Sequence, residues 1–107
     1  MSEWNTEPHE SYRDKKEEEI AYQQLLQDAI TKWGMSAQKL IWIEEMSELI
    51  KAVAKSDRAI NPSFREQIVS EIADVDICLD QMKEVYPEYE EVRKRKIARL
   101  KRLVYET

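Results

Sequence analysis

Two short acidic patterns are where this 107-residue chain could do chemistry. The first, EEMSE, sets Glu45 and Glu48 three residues apart, and the second, EIAD, sets Glu71 and Asp74 at the same spacing. Residues three apart on a helix share a face, so each pair aims two carboxylates the same way. The pairs Glu48 with Glu71 and Glu45 with Asp74 are centred on one point of the chain, between Ala59 and Ile60. Antiparallel helices folded back there would bring four carboxylates to one patch. Left alone, such charges repel and raise each other's pKa values; a divalent cation turns that repulsion into binding. An all-oxygen donor set suits Mg²⁺, with Mn²⁺ as a substitute, whereas zinc or copper would be expected to recruit His or Cys. The single histidine, His9, lies far towards the N-terminus, and the single cysteine, Cys78, falls in an apolar stripe. One isolated ExxE or ExxD is an ordinary solvated helix pair. The mirror register of two sets these apart.

A helical wheel makes Glu71 the more unusual of the four. Phe64, Ile68, Val75, Cys78, Leu79, Met82 and Val85 all fall within roughly 80° of it. An ionised carboxylate taken out of water there costs several kcal/mol unless something pairs with it. The C-terminal segment repeats the anomaly with opposite sign. Lys96 sits among Tyr89, Val92, Leu100, Leu103 and Val104, flanked by Arg93 and Arg99. Snorkelling, with the stem on the core and the charge in water, accounts for one such lysine. Near a metal cluster, Lys and Arg aimed at the same cavity would hold phosphate oxygens.

The elements that must position these groups are helices. One Gly and three Pro in the chain argue against a turn-rich β protein, and abundant Glu, Lys, Gln, Leu and Ala favour helix. The length suits one domain with a single core. Residues 1–17 read as a flexible tail and 18–107 as the helical domain. The first helix carries Tyr22, Leu25, Leu26, Ala29, Ile30 and Trp33 on one face and ends at Gly34. Ser36 is the expected N-cap of the second, whose apolar face is Trp42, Ile43, Met46, Leu49, Ile50 and Val53. After the DRAINP turn, Asn61 with Pro62, or Ser63 with Glu66, starts the third, and Pro87 stops it. The fourth opens acidic and turns basic, in the order a helix dipole favours. Short connections predict an all-α, antiparallel four-helix bundle.

Composition narrows the classes further. A net charge of −5 argues against a general nucleic-acid binder, and RKRKIARLKR is interleaved with apolar residues at helical spacing. No apolar run is long enough to cross a membrane, MSEWNTEPHE is not a signal peptide, and a lone Cys suits a reducing compartment, so the expected location is cytoplasmic.

EExxE on one helix followed by ExxD on the next resembles the MazG-like all-α nucleoside triphosphate pyrophosphohydrolases. KWGMSAQKLIWIEEMSELIKA and EIADVDICLDQMKEVY are similar to the short single-domain members often carried by phages and their bacterial hosts, and KIARLKRL to their C-terminal basic helix. The likeness runs from about residue 20 to 104. Ser47 stands where many members have Gly, and Arg95 or Lys94 where many have Asn. The resemblance implies Mg²⁺ on Glu45, Glu48, Glu71 and Asp74, phosphate contacts from Lys96 and Arg99, and hydrolysis of a nucleoside triphosphate to monophosphate and pyrophosphate. Glu44, beside the ligand set, would either orient or deprotonate the attacking water or be a plain surface glutamate. Trp33, Trp42 and Tyr22 offer stacking surfaces, although their apolar faces make core the simpler role. The family implies a homodimer or homotetramer, and Ile77, set among Asp76, Asp80 and Glu84, is a candidate interface residue. The main alternative is a non-catalytic helical interaction module. A di-iron carboxylate bundle would need Glu-x-x-His pairs, and no histidine follows these carboxylates.

Overall fold

Gly34 separates the first two helices without a loop. Its φ of +89° lies where a side chain would be strained; its N–H donates to the Ile30 carbonyl, closing the first helix. Its own carbonyl accepts from the Gln38 N–H, opening the second. One residue therefore serves as stop and start, and Ser36, expected as a cap, lies inside the second helix. The computed structural model describes residues 12–58 and 62–106. These form four helices and no strand: α1 (Tyr12–Trp33), α2 (Met35–Arg58), α3 (Pro62–Val85) and α4 (Tyr89–Tyr105). α1 begins at Tyr12, six residues before Glu18; most of the expected tail, and the Asn61 cap, lie outside the described residues. Pro62 takes the first position of α3, where its missing N–H costs nothing.

The chain divides into two compact units, Met1–Gln38 and Lys39–Thr107. In the first, α1 buries only Leu26, and Trp33, assigned above to an apolar face, is exposed with the Lys32 ammonium 5.4 Å from its ring. In the second, α2 and α3 meet through matched layers. The Trp42 indole N–H donates to the Gln81 side-chain carbonyl, both residues being buried. Three residues further along α2, Glu45 meets Glu71 and Asp74, which precede Gln81 on α3.

The burial of α3 follows the wheel. Val75 and Cys78 are buried, and Phe64, Ile68, Glu71, Met82 and Val85 are half-buried; Leu79 is the exception. The burial of α2 departs from it. Ile43, Ile50 and Val53 are exposed, and the inward stripe is Trp42, Glu45, Leu49, Ala52 and Ser56. Its alternating spacing of three and four residues is that of a helix seam. Ala52, 1% exposed, is the tightest point, which a small residue at close helix approach explains. The stripe thus puts Glu45 on the inner face of α2. α4 buries no residue, so Lys96, read above as a cation within an apolar face, is exposed.

Candidate metal centre

The inner stripes of α2 and α3 carry their carboxylates to one place. Glu45, Glu71 and Asp74 each offer an oxygen, and the three oxygens lie within 4.8 Å of one another. Glu45 and Glu71 are half-buried and Asp74 is exposed. One oxygen of Glu71, Oε2, is buried and has no hydrogen-bond partner. That orphaned acceptor is the signature of the conflict read from the α3 wheel, because a buried carboxylate oxygen normally finds a donor.

The electrostatics of the cluster follow from its geometry. The Glu45 carboxyl is pushed above the usual carboxylate range, first by burial, then by the charges of Asp74, Glu71 and Glu44 and by a side-chain hydrogen bond with Asp74. All these causes act in the same direction, and no lysine or arginine offsets them. Strain of this kind is relieved by a proton or by a cation.

The other site candidates lie outside this trio. Glu48 is half-buried on the next turn of α2, with its carboxylate 3.6 Å from the Lys51 ammonium. Glu44 is exposed; its backbone carbonyl accepts the Ser47 hydroxyl at 2.8 Å. Lys96 and Arg99 are exposed on α4, and Lys96 lines a groove between α3 and α4 whose walls contain none of the four carboxylates. The structure therefore brings together three of the four expected metal ligands and leaves the two expected phosphate contacts on a separate surface.

One feature of the site, the burial of Cys78, follows the apolar stripe read from the sequence, while its place beside the carboxylates and a second feature were not read from it. Cys78 is buried beside the cluster, and its thiol is pushed up by burial and then by Glu45 and Asp74. Its sulfur is not among the atoms that converge, so the donor set is all-oxygen. Its position four residues beyond Asp74 was the available signal. The second is the Trp42–Gln81 hydrogen bond, which fixes the layer next to the cluster; a lone Gln in a helical pattern gives no comparable cue.

Hard divalent cations bind sets of carboxylate oxygens. The trio, with its unpartnered Glu71 oxygen, fits that requirement. Acidic groups also gather without an ion. The chain matches no protein-family model, and no curated protein or solved structure is significantly similar to it. Among the described residues, no helix is long and apolar enough to cross a membrane.

Proposed function

We propose that this chain is a Mg²⁺-dependent nucleoside triphosphate pyrophosphohydrolase of the MazG-like kind, built on antiparallel helices. The observation that carries the reading is the convergence of Glu45, Glu71 and Asp74 around a buried, unpartnered Glu71 oxygen. The order of contacts between α2 and α3, Trp42 with Gln81 and then Glu45 with Asp74, supports the antiparallel arrangement. Glu45, Glu71 and Asp74 hold the ion, and Glu48 joins them by exchanging its contact with Lys51. A bound Mg²⁺ would supply charge neutralisation for the triphosphate and a more acidic water. Glu44, exposed beside the ligand set, would orient the attacking water or take its proton. Lys96 and Arg99, the phosphate contacts that the resemblance implies, would have to reach the triphosphate from the separate surface of α4 on which they lie.

The test is turnover on a panel of ribo- and deoxynucleoside triphosphates, with products separated by ion exchange. Monophosphate and pyrophosphate form only with Mg²⁺ or Mn²⁺, and Glu71→Gln lowers the rate at least 100-fold while keeping its helical circular dichroism. A folded wild-type protein that turns over no nucleotide would refute the activity. Thermal stabilisation by Mg²⁺ in that case would leave a metal site without this chemistry, and its absence would favour the non-catalytic interaction module.

A further inference from the structure

Glu45, Glu48 and Lys51 follow one another along α2 at steps of three residues. Each step turns about 60° around the helix axis, so the three lead from the inner face of α2 out towards solvent. Glu45 and Glu48 are half-buried, and Lys51 is exposed. Glu45 belongs to the converging trio and Glu48 does not. The Lys51 ammonium lies 3.6 Å from the Glu48 carboxylate, with 64% of its side chain accessible to solvent. Lys51 therefore stands at the rim of the cluster, where solvent meets it.

Its charge is spent on Glu48 and not on the trio. The causes that raise the Glu45 carboxyl are burial and acidic neighbours, with no cation among them. The other ion pairs found among the described residues, Arg13 with Glu17, Lys83 with Asp80 and Lys94 with Glu91, touch none of the four carboxylates. Lys51 is thus the cation that the structure ties to this set, whereas Lys96 and Arg99 lie on the separate surface of α4. An exposed pair of this kind is weak, so Glu48 leaves it for a divalent ion at little cost. The ammonium it leaves behind has three N–H donors and a full charge to offer, which suits phosphate oxygens.

We propose that Lys51 is a phosphate-binding residue of this site, pairing with Glu48 before an ion binds and turning to a phosphate oxygen of the metal-bound triphosphate once Glu48 has joined the ion. The proposal rests on the hydrolase reading, whose ion it needs, and adds to it a substrate contact on α2. Lys51 stays protonated throughout and only exchanges one anionic partner for another. Removing its ammonium therefore acts in opposite directions on two equilibria. The ion alone gains, because Glu48 is no longer held away from it. The triphosphate loses, because its phosphate contact is gone. A side chain that merely supported the helix would not split the two in this way.

Isothermal titration of the full chain measures both, with Mn²⁺ alone as the first probe and inorganic tripolyphosphate in saturating Mg²⁺ as the second. Lys51→Met binds Mn²⁺ about two- to fivefold more tightly than wild type, the range over which an exposed ion pair acts. It binds tripolyphosphate at least about tenfold more weakly, as expected for a lost hydrogen bond to a charged group. Lys51→Arg stays close to wild type in both titrations, and circular dichroism confirms that each variant is helical. A wild type that binds no Mn²⁺ would remove the metal site, and this proposal with it. Mn²⁺ binding by wild type, with Lys51→Met unchanged in either titration, would overturn the proposal and leave the metal site standing. A loss of both affinities would make Lys51 a structural residue and overturn it equally. Tripolyphosphate binding that falls in Lys96→Met but not in Lys51→Met would return the contact to α4.

Discussion

Glu45 and Glu71 share one cluster yet act differently on stability. Glu71 has the unpartnered buried oxygen, whereas Glu45 has the raised pKa, caused first by burial and then by its acidic neighbours. A carboxyl whose folded-state pKa lies above its unfolded value binds its proton more tightly when folded. Its favourable contribution is full below the unfolded value, 4.5, and is lost as pH rises through the folded one. Metal-free protein should therefore lose stability from this residue on going from about pH 4.5 to neutrality. Glu45→Gln removes that loss. The melting temperature of the variant relative to wild type, measured in chelator, should rise across this window and then level off. A difference that stays flat with pH would mean the cluster does not strain Glu45. If the cluster holds Mg²⁺ as proposed, the order should reverse in its presence, because wild type would gain a ligand that the variant binds poorly.

The α2–α3 pair fixes the position of these carboxylates, and the Trp42–Gln81 hydrogen bond lies in the adjoining layer. Both residues are about 5% exposed, so a broken bond leaves a polar group without water. Gln81→Leu strands the indole N–H and should cost about 1–3 kcal/mol in urea unfolding. Trp42→Phe removes the donor that the Gln81 carbonyl accepts from and should also destabilise the protein. The double variant should lose less than the sum of the two, because the bond can be lost only once; strict additivity would mean that the bond contributes nothing. This layer also shows where reading a helix from sequence succeeds and fails. Glu71 was legible because its α3 neighbours are almost all apolar, so hydrophobicity and burial point the same way. On α2 they do not. Ile43, Ile50 and Val53 outweigh Glu45, Ala52 and Ser56 on any hydrophobicity scale, yet the latter three face inward. Close packing selects Ala52 for its size and turns the helix accordingly, and size is invisible to a wheel weighted by hydrophobicity. The Gly34 connection was legible as a helix end, but not as the start of the next helix, because one carbonyl and a positive φ do what a Ser cap usually does.

At the scale of the molecule, α4 is the helix that the described residues cover least. Its 17 residues include no fully buried side chain, although Tyr89 is half-buried beneath the Lys83 ammonium, and most helical stability in proteins comes from tertiary packing. Local terms help only modestly: Glu90 and Glu91 sit at the positive end of the dipole, and Lys94 lies 3.3 Å from Glu91. Apolar residues still recur along its length, with Val92, Ile97, Leu100, Leu103 and Val104 all exposed. A helix with this pattern suits packing on another helix, and the homodimer or homotetramer that the family resemblance implies would supply one. Folding and association would then be linked, so dilution should destabilise the protein. Raising the concentration from about 1 to 100 μM should increase the melting temperature by several degrees, since mass action favours the paired folded state. Hydrogen exchange should localise the effect. Amides of α4 should exchange faster on dilution, while those around Ala52 and Val75, in the α2–α3 core, change little by comparison. A melting temperature independent of concentration, with α4 amides as protected as those of α3, would mean that the single chain already stabilises this helix. The exposed stripe would then need another explanation.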